Sequence, residues 1–125
     1  MRNTIQTPNA PAAIGPYSQA IVYGNLVFTS GQIPLDPATG LVVGETIREQ
    51  AEQVMKNLTA VLEAAGSSPQ NVIKTTCFLL DMADFAVFNE VYAACFTTAP
   101  ARSCVAVKTL PKGVLVEVEV VASVG

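Results

Sequence analysis

The spacing of apolar and polar positions changes several times along this chain, and each change predicts an element. Residues 17–23 and 26–31 are apolar-rich runs on either side of Gly24-Asn25, a dipeptide suited to a primed turn, so they predict an antiparallel hairpin. Tight closure of that turn sets Gln19 opposite Ser30. Asp36-Pro37-Ala38-Thr39-Gly40 has the composition of a turn, and Leu41-Val42-Val43 a short strand. Thr46 followed by Glu49 three positions on matches a capping box. Ile47, Ala51, Val54, Leu58, Val61, Leu62 and Ala65 then keep helical spacing until Gly66 stops it.

Residues 67–70 read as a loop and Val72 to Leu80 as a largely buried strand, which makes a strand-helix-strand crossover. Asp84 is placed to cap a second helix with Phe85, Phe88, Val91, Tyr92 and Phe96 inward, ending before Pro100. Two further strands, Arg102 to Lys108 and Val114 to Ala122, surround Leu110-Pro111-Lys112-Gly113. In the last strand Val114, Val116, Val118, Val120 and Ala122 share one face, while Leu115, Glu117, Glu119 and Val121 share the other. If these two strands pair through a loop at 109–112, Cys104 falls opposite Glu117 and Arg102 opposite Glu119, gathering the polar groups on one face.

Composition narrows the chemistry. At 125 residues the chain has the size of one domain, residues 1–125, that buries a core without disulfides or metal. With 50% apolar and 14% charged residues and a mean hydropathy of +0.42, it carries apolar surface for contact with copies of itself. A net charge of −3, with seven thinly spread Lys and Arg, offers no stripe for a nucleic-acid backbone. Cys77, Cys95 and Cys104 lack metal-site spacing and read as free thiols of a reducing compartment. No signal peptide and no membrane span is evident, so the expectation is a cytoplasmic protein. The chain has no histidine. That removes Ser-His and Cys-His pairs, two-histidine ribonuclease chemistry and most zinc hydrolases, leaving arginine, carboxylate, backbone and water.

Among the residues that remain, Arg102 at a strand start offers a planar fork of donors to a small carboxylate, or else an ion pair to Glu119. Glu117 either holds and deprotonates a water or is a solvated strand carboxylate. Cys104 has no basic partner and reads more simply as a small packed hydrophobe than as a nucleophile. Tyr17 has a ring to stack and a hydroxyl to donate, or serves as an interface aromatic. Ser30-Gly31 at a strand end lets a ligand approach the backbone, or is ordinary sheet geometry. Asn89 turns an amide into a site or out to water.

Seven segments in register carry a family resemblance: Gly15-Pro16-Tyr17-Ser18-Gln19-Ala20; Thr29-Ser30-Gly31-Gln32-Ile33-Pro34; Asn57-Leu58 with Ala64-Ala65-Gly66; Val72-Ile73-Lys74-Thr75-Thr76; Asp84-Phe85 with Asn89; Pro100-Ala101-Arg102-Ser103-Cys104-Val105; and Glu117-Val118-Glu119. Over nearly its whole length the chain resembles the RidA/YjgF family of reactive intermediate deaminases. That resemblance implies a chorismate-mutase-like α+β domain, a mixed sheet with two helices on one face, assembled as a homotrimeric barrel with sites between subunits. It also implies cofactor-independent hydrolysis of enamines and imines such as 2-aminoacrylate and 2-aminocrotonate to 2-keto acids and ammonia.

By position, Arg102 and Glu117 would be catalytic, with Arg102 binding the substrate carboxylate. Tyr17, Ser30, Gly31, Asn89 and Cys104 would line the substrate cleft; no metal is implied. The chain departs from the family's pattern between Phe96 and Arg102, where only Thr97-Thr98-Ala99-Pro100-Ala101 intervene. Two other readings compete. One is an endoribonuclease or translation inhibitor, which the acidic balance and missing histidine disfavour. The other is a non-catalytic trimer that binds small carboxylates.

Overall fold

A computed structural model describes residues 2–125. Six strands form one mixed sheet: β1 (Arg2–Ile5), β2 (Ala20–Tyr23), β3 (Leu26–Thr29), β4 (Val72–Leu79), β5 (Ala101–Ala106) and β6 (Val116–Ser123). Two helices, α1 (Ile47–Ala64) and α2 (Phe85–Cys95), cover one face. The sheet order is β1-β2-β3-β6-β4-β5, antiparallel throughout except for the parallel pair β4/β5. The last strand therefore enters between β3 and β4. Among the described residues no helix is long and apolar enough to cross a membrane.

The hairpin closes as its turn dipeptide requires, with Tyr23 paired to Leu26 and the Ser30 N–H donating to the Gln19 carbonyl at 2.9 Å. In the first helix, Thr46 accepts from the Glu49 N–H while the Glu49 carboxylate accepts from the Thr46 N–H, a complete capping box. Gly66, at φ +79°, follows its C-terminus. Val116, Val118, Val120 and Ala122 are buried against Val54, Leu58, Val61, Leu62 and Phe88 of the helices. The opposite face of β6, carrying Glu117, Glu119 and Val121, is left uncovered by the helices.

One strand was not foreseen and three expectations need correction. β1 pairs with β2 although the N-terminal polar residues carry no strand pattern of their own. Residues 41–43 make only an isolated bridge, Leu35 to Val42. Asp84 gives the second helix no side-chain cap; Asp81 instead accepts from the Ala83 N–H at 2.9 Å and starts a 3₁₀ turn that runs into the helix.

Most consequentially, β5 and β6 do not pair: Cys104 lies opposite Cys77 and Arg102 opposite Thr75, while Glu117 lies opposite Phe78 and Glu119 opposite Thr76. The linker straddles the end of β4, since Val107 donates to the Leu79 carbonyl and Leu80 donates to the Leu115 carbonyl. A strand whose valine face is wholly buried belongs at the centre of the sheet; β5, exposed at most positions, serves as its edge.

Candidate active site

The central pairing divides the expected site residues between the two faces of the sheet. Successive side chains on a strand alternate. Because Val118 is core, Glu117 and Glu119 point away from the helices. Arg102 and Cys104 sit beside Thr75 and Cys77, which are buried under α2, and so face the helices. Two half-sites result.

The first half-site forms where β3 leaves β6. Between the pairs Phe28/Val121 and Gln32/Val118, three residues on one side, Thr29 to Gly31, oppose two on the other. This bulge is closed by a side chain, Thr29 Oγ1 accepting from the Val120 N–H at 3.0 Å. A cleft of about 700 Å³ opens there, lined among others by Tyr17, Ser30, Gly31, Lys112, Glu117 and Glu119. A β-carbon at residue 31 would overlap the Glu117 carboxylate, lying 2.8 Å from its Cδ. Gly31 thus makes room for the acid.

Burial, and then repulsion from Glu119, pushes the Glu117 carboxyl above the usual carboxylate range. The Ser30 hydroxyl donates to the Ser18 carbonyl at 2.6 Å, and the exposed Tyr17 hydroxyl accepts from the Ile14 N–H at 3.3 Å.

Buried amides hold the walls of this cleft. Gln19 accepts from the Thr7 N–H at 2.7 Å and donates to the carbonyls of Thr7, Ala10 and Pro11, folding residues 7–11 over the hairpin. Asn57, fully buried on α1, donates to the carbonyls of Ile33 and Leu35 at 3.1 and 3.0 Å. Both appear in the sequence as polar residues at inward-facing positions, the pattern of a satisfied internal amide. Their role as struts for a loop was not legible, because their partners are backbone groups 8–24 residues away.

The second half-site centres on Arg102. Its Nη1 donates to Asn89 Oδ1 at 2.7 Å, and its guanidinium carbon lies 4.7 Å from the centroid of Tyr92 and 5.3 Å from that of Phe85. Among the described residues it pairs with no carboxylate, Glu119 included, and the ion pair found there is Arg48 with Glu90, on the helical surface. The Tyr92 hydroxyl shares a 2.7 Å hydrogen bond with Thr75, beneath Arg102. Burial raises the Cys104 thiol, with Arg102 opposing, and pushes Cys77 up to about 12. These are packed thiols rather than poised nucleophiles.

A mixed six-stranded sheet under two helices, with an arginine on one face and a raised carboxyl on the other, defines a small α+β domain. The chain matches the family model described as Endoribonuclease L-PSP over residues 7–124, and it belongs to that family, the RidA/YjgF family. A Salmonella typhimurium relative named 2-iminobutanoate/2-iminopropanoate deaminase is 52% identical over 126 residues, covering 98% of each chain. A solved structure from Thermotoga maritima, provisionally named an endoribonuclease, superposes with a TM-score of 0.97 at 50% identity, covering 100% of this chain and 99% of that one. Escherichia coli TdcF with bound serine has a TM-score of 0.93 at 44% identity, covering 98% of this chain and 99% of TdcF.

Proposed function

We propose that the protein hydrolyses reactive enamines and imines of the 2-aminoacrylate and 2-aminocrotonate type to 2-keto acids and ammonia, without a cofactor. The observation that carries this reading is Arg102: a guanidinium fixed in place by Asn89 and two rings, with no acidic partner among the described residues, is prepared for an anion from outside the chain. The serine bound to TdcF and the deaminase name of the Salmonella relative make a small amino-acid-derived carboxylate the natural candidate.

In this mechanism the enamine CH₂=C(NH₂)–COO⁻ takes a proton from water at its terminal carbon to give the protonated imine CH₃–C(=NH₂⁺)–COO⁻. A water held by Glu117 adds to the imine carbon, and the tetrahedral adduct expels ammonia to leave pyruvate. The raised pKa suits Glu117 to exchange protons nearer neutrality than an ordinary carboxylate. Orientation by Arg102 and stabilisation of developing charge account for most of what an already unstable substrate needs.

The two half-sites lie on opposite faces of the sheet within one chain, so the reading calls for a second copy. We place the sites of a homotrimeric barrel between subunits, with Tyr17, Ser30, Gly31 and Glu117 from one chain and Arg102, Asn89 and Cys104 from the next. Support comes from the face of the sheet away from the helices, where Phe28 is 44% and Val105 47% exposed beside Val121 and Phe78.

The deciding experiment generates enamines in place with a serine/threonine dehydratase and follows 2-keto acid release. Acceleration by the protein but not by Arg102→Ala supports the reading. A spontaneous rate with both proteins removes it in favour of a carboxylate-binding module.

A further inference from the structure

Phe85, Asn89 and Tyr92 recur at i, i+4 and i+7 on α2 and so form one stripe along the helix. All three touch Arg102. The stripe is itself braced: Tyr92 packs at 4.8 Å from Phe96 and 5.8 Å from Phe88, and its hydroxyl is tied to Thr75, a fully buried residue of β4. Arg102 is the neighbour of Thr75 across the parallel ladder. Its backbone and its guanidinium are therefore held by two elements that share one anchor.

The choice of nitrogen matters. Asn89 engages Nη1, the nitrogen on the Cδ side of the guanidinium. Nε and Nη2 share the other edge, whose two N–H bonds run parallel and match the spacing of carboxylate oxygens. Rings against the planar group restrict its rotation without competing for its donors. We infer that Phe85, Asn89 and Tyr92 are positioning residues that aim the Nε/Nη2 edge of Arg102 at the substrate, making a planar carboxylate the feature the site selects. Asn89 then acts on the arginine and not on the substrate. The inference rests on the proposal that Arg102 receives the substrate carboxylate.

Calorimetric titration of the intact protein with pyruvate and with pyruvamide, its neutral amide counterpart, tests it. The wild type binds pyruvate at least about tenfold more tightly than pyruvamide, and Arg102→Lys loses most of that preference. Asn89→Ala, at a half-buried position, keeps its thermal midpoint and weakens pyruvate about tenfold while leaving pyruvamide nearly unchanged. Tyr92→Phe, which keeps the ring and loses the Thr75 bond, weakens pyruvate by a smaller factor. In enamine hydrolysis the Asn89→Ala effect falls on KM with kcat little altered.

Equal weakening of both ligands in Asn89→Ala and Tyr92→Phe, or no change in either, overturns the inference. If the wild type hydrolyses enamines and Asn89→Ala leaves KM unmoved, the inference falls and the deaminase reading stands. If pyruvate binds with the expected pattern while hydrolysis is not accelerated, the deaminase reading falls and the inference stands. Failure of the wild type to prefer pyruvate over pyruvamide overturns the inference whatever the rate shows.

Discussion

The Glu117 carboxylate occupies the space where a side chain at residue 31 would begin. The clash is with the flexible end of that side chain, which can yield only by moving the acid proposed to act on water. We expect Gly31→Ala to displace that carboxylate and lower kcat by roughly a hundredfold, the cost of misplacing a reacting group by about an ångström. Steady-state kinetics beside a thermal melt checks this: the melt should move little, because the collision is relieved into an open cleft.

Glu117 also ties function to pH. Its carboxyl is raised by burial and by Glu119, so the fold favours the protonated form. The stabilising contribution is fully present below the unfolded-state pKa and disappears as pH rises through the folded value. Glu117→Gln should therefore gain thermal stability over the wild type at neutral pH and lose that advantage in acid. Turnover should run the other way, falling as pH drops through a midpoint above the ordinary carboxylate range. A pH series of melts and of kcat/KM measures both.

Asn57 links the first helix to the cleft wall by donating to two carbonyls. Asn57→Ala leaves the Ile33 carbonyl without its donor and the Leu35 carbonyl with only the 3.4 Å bond from Gln53, at a cost of about 2 kcal/mol. Urea denaturation should show that loss with an unchanged slope, and KM should rise because residues 33–35 lose their tether.

The division of the site between faces predicts complementation. Co-expressed Arg102→Ala and Glu117→Gln chains, each inactive alone, should assemble mixed trimers in which about a quarter of the interfaces join two intact halves. Recovery of activity near that fraction supports sites between subunits; none at all places both residues in one chain's site.

Much of the fold follows from local pattern. The capping box at Thr46 and Glu49, the Gly24-Asn25 turn, the Gly66 stop and the valine face of the last strand are read within a few residues, where hydrogen bonding and side-chain alternation act directly. The same locality failed for Asp84, because Asp81 starts its turn three residues earlier. It also failed for β1, whose polar residues become a strand only by pairing with β2.

Arg102 and Glu117 stood out in the sequence for their chemistry, and seven segments in register, two of which carry these residues, brought the family into view. Their arrangement was not legible there. Two strands joined by a short loop read naturally as a hairpin, which would have put both residues on one face. The tertiary structure sends β6 to the far side of β4, because burying a continuous valine face at the sheet centre outweighs the shorter connection. That single choice gives Arg102 the aromatic stripe of α2 and Glu117 the cleft beside Gly31. Residue types are fixed one position at a time, whereas the face a residue occupies depends on which strand lies next to its own.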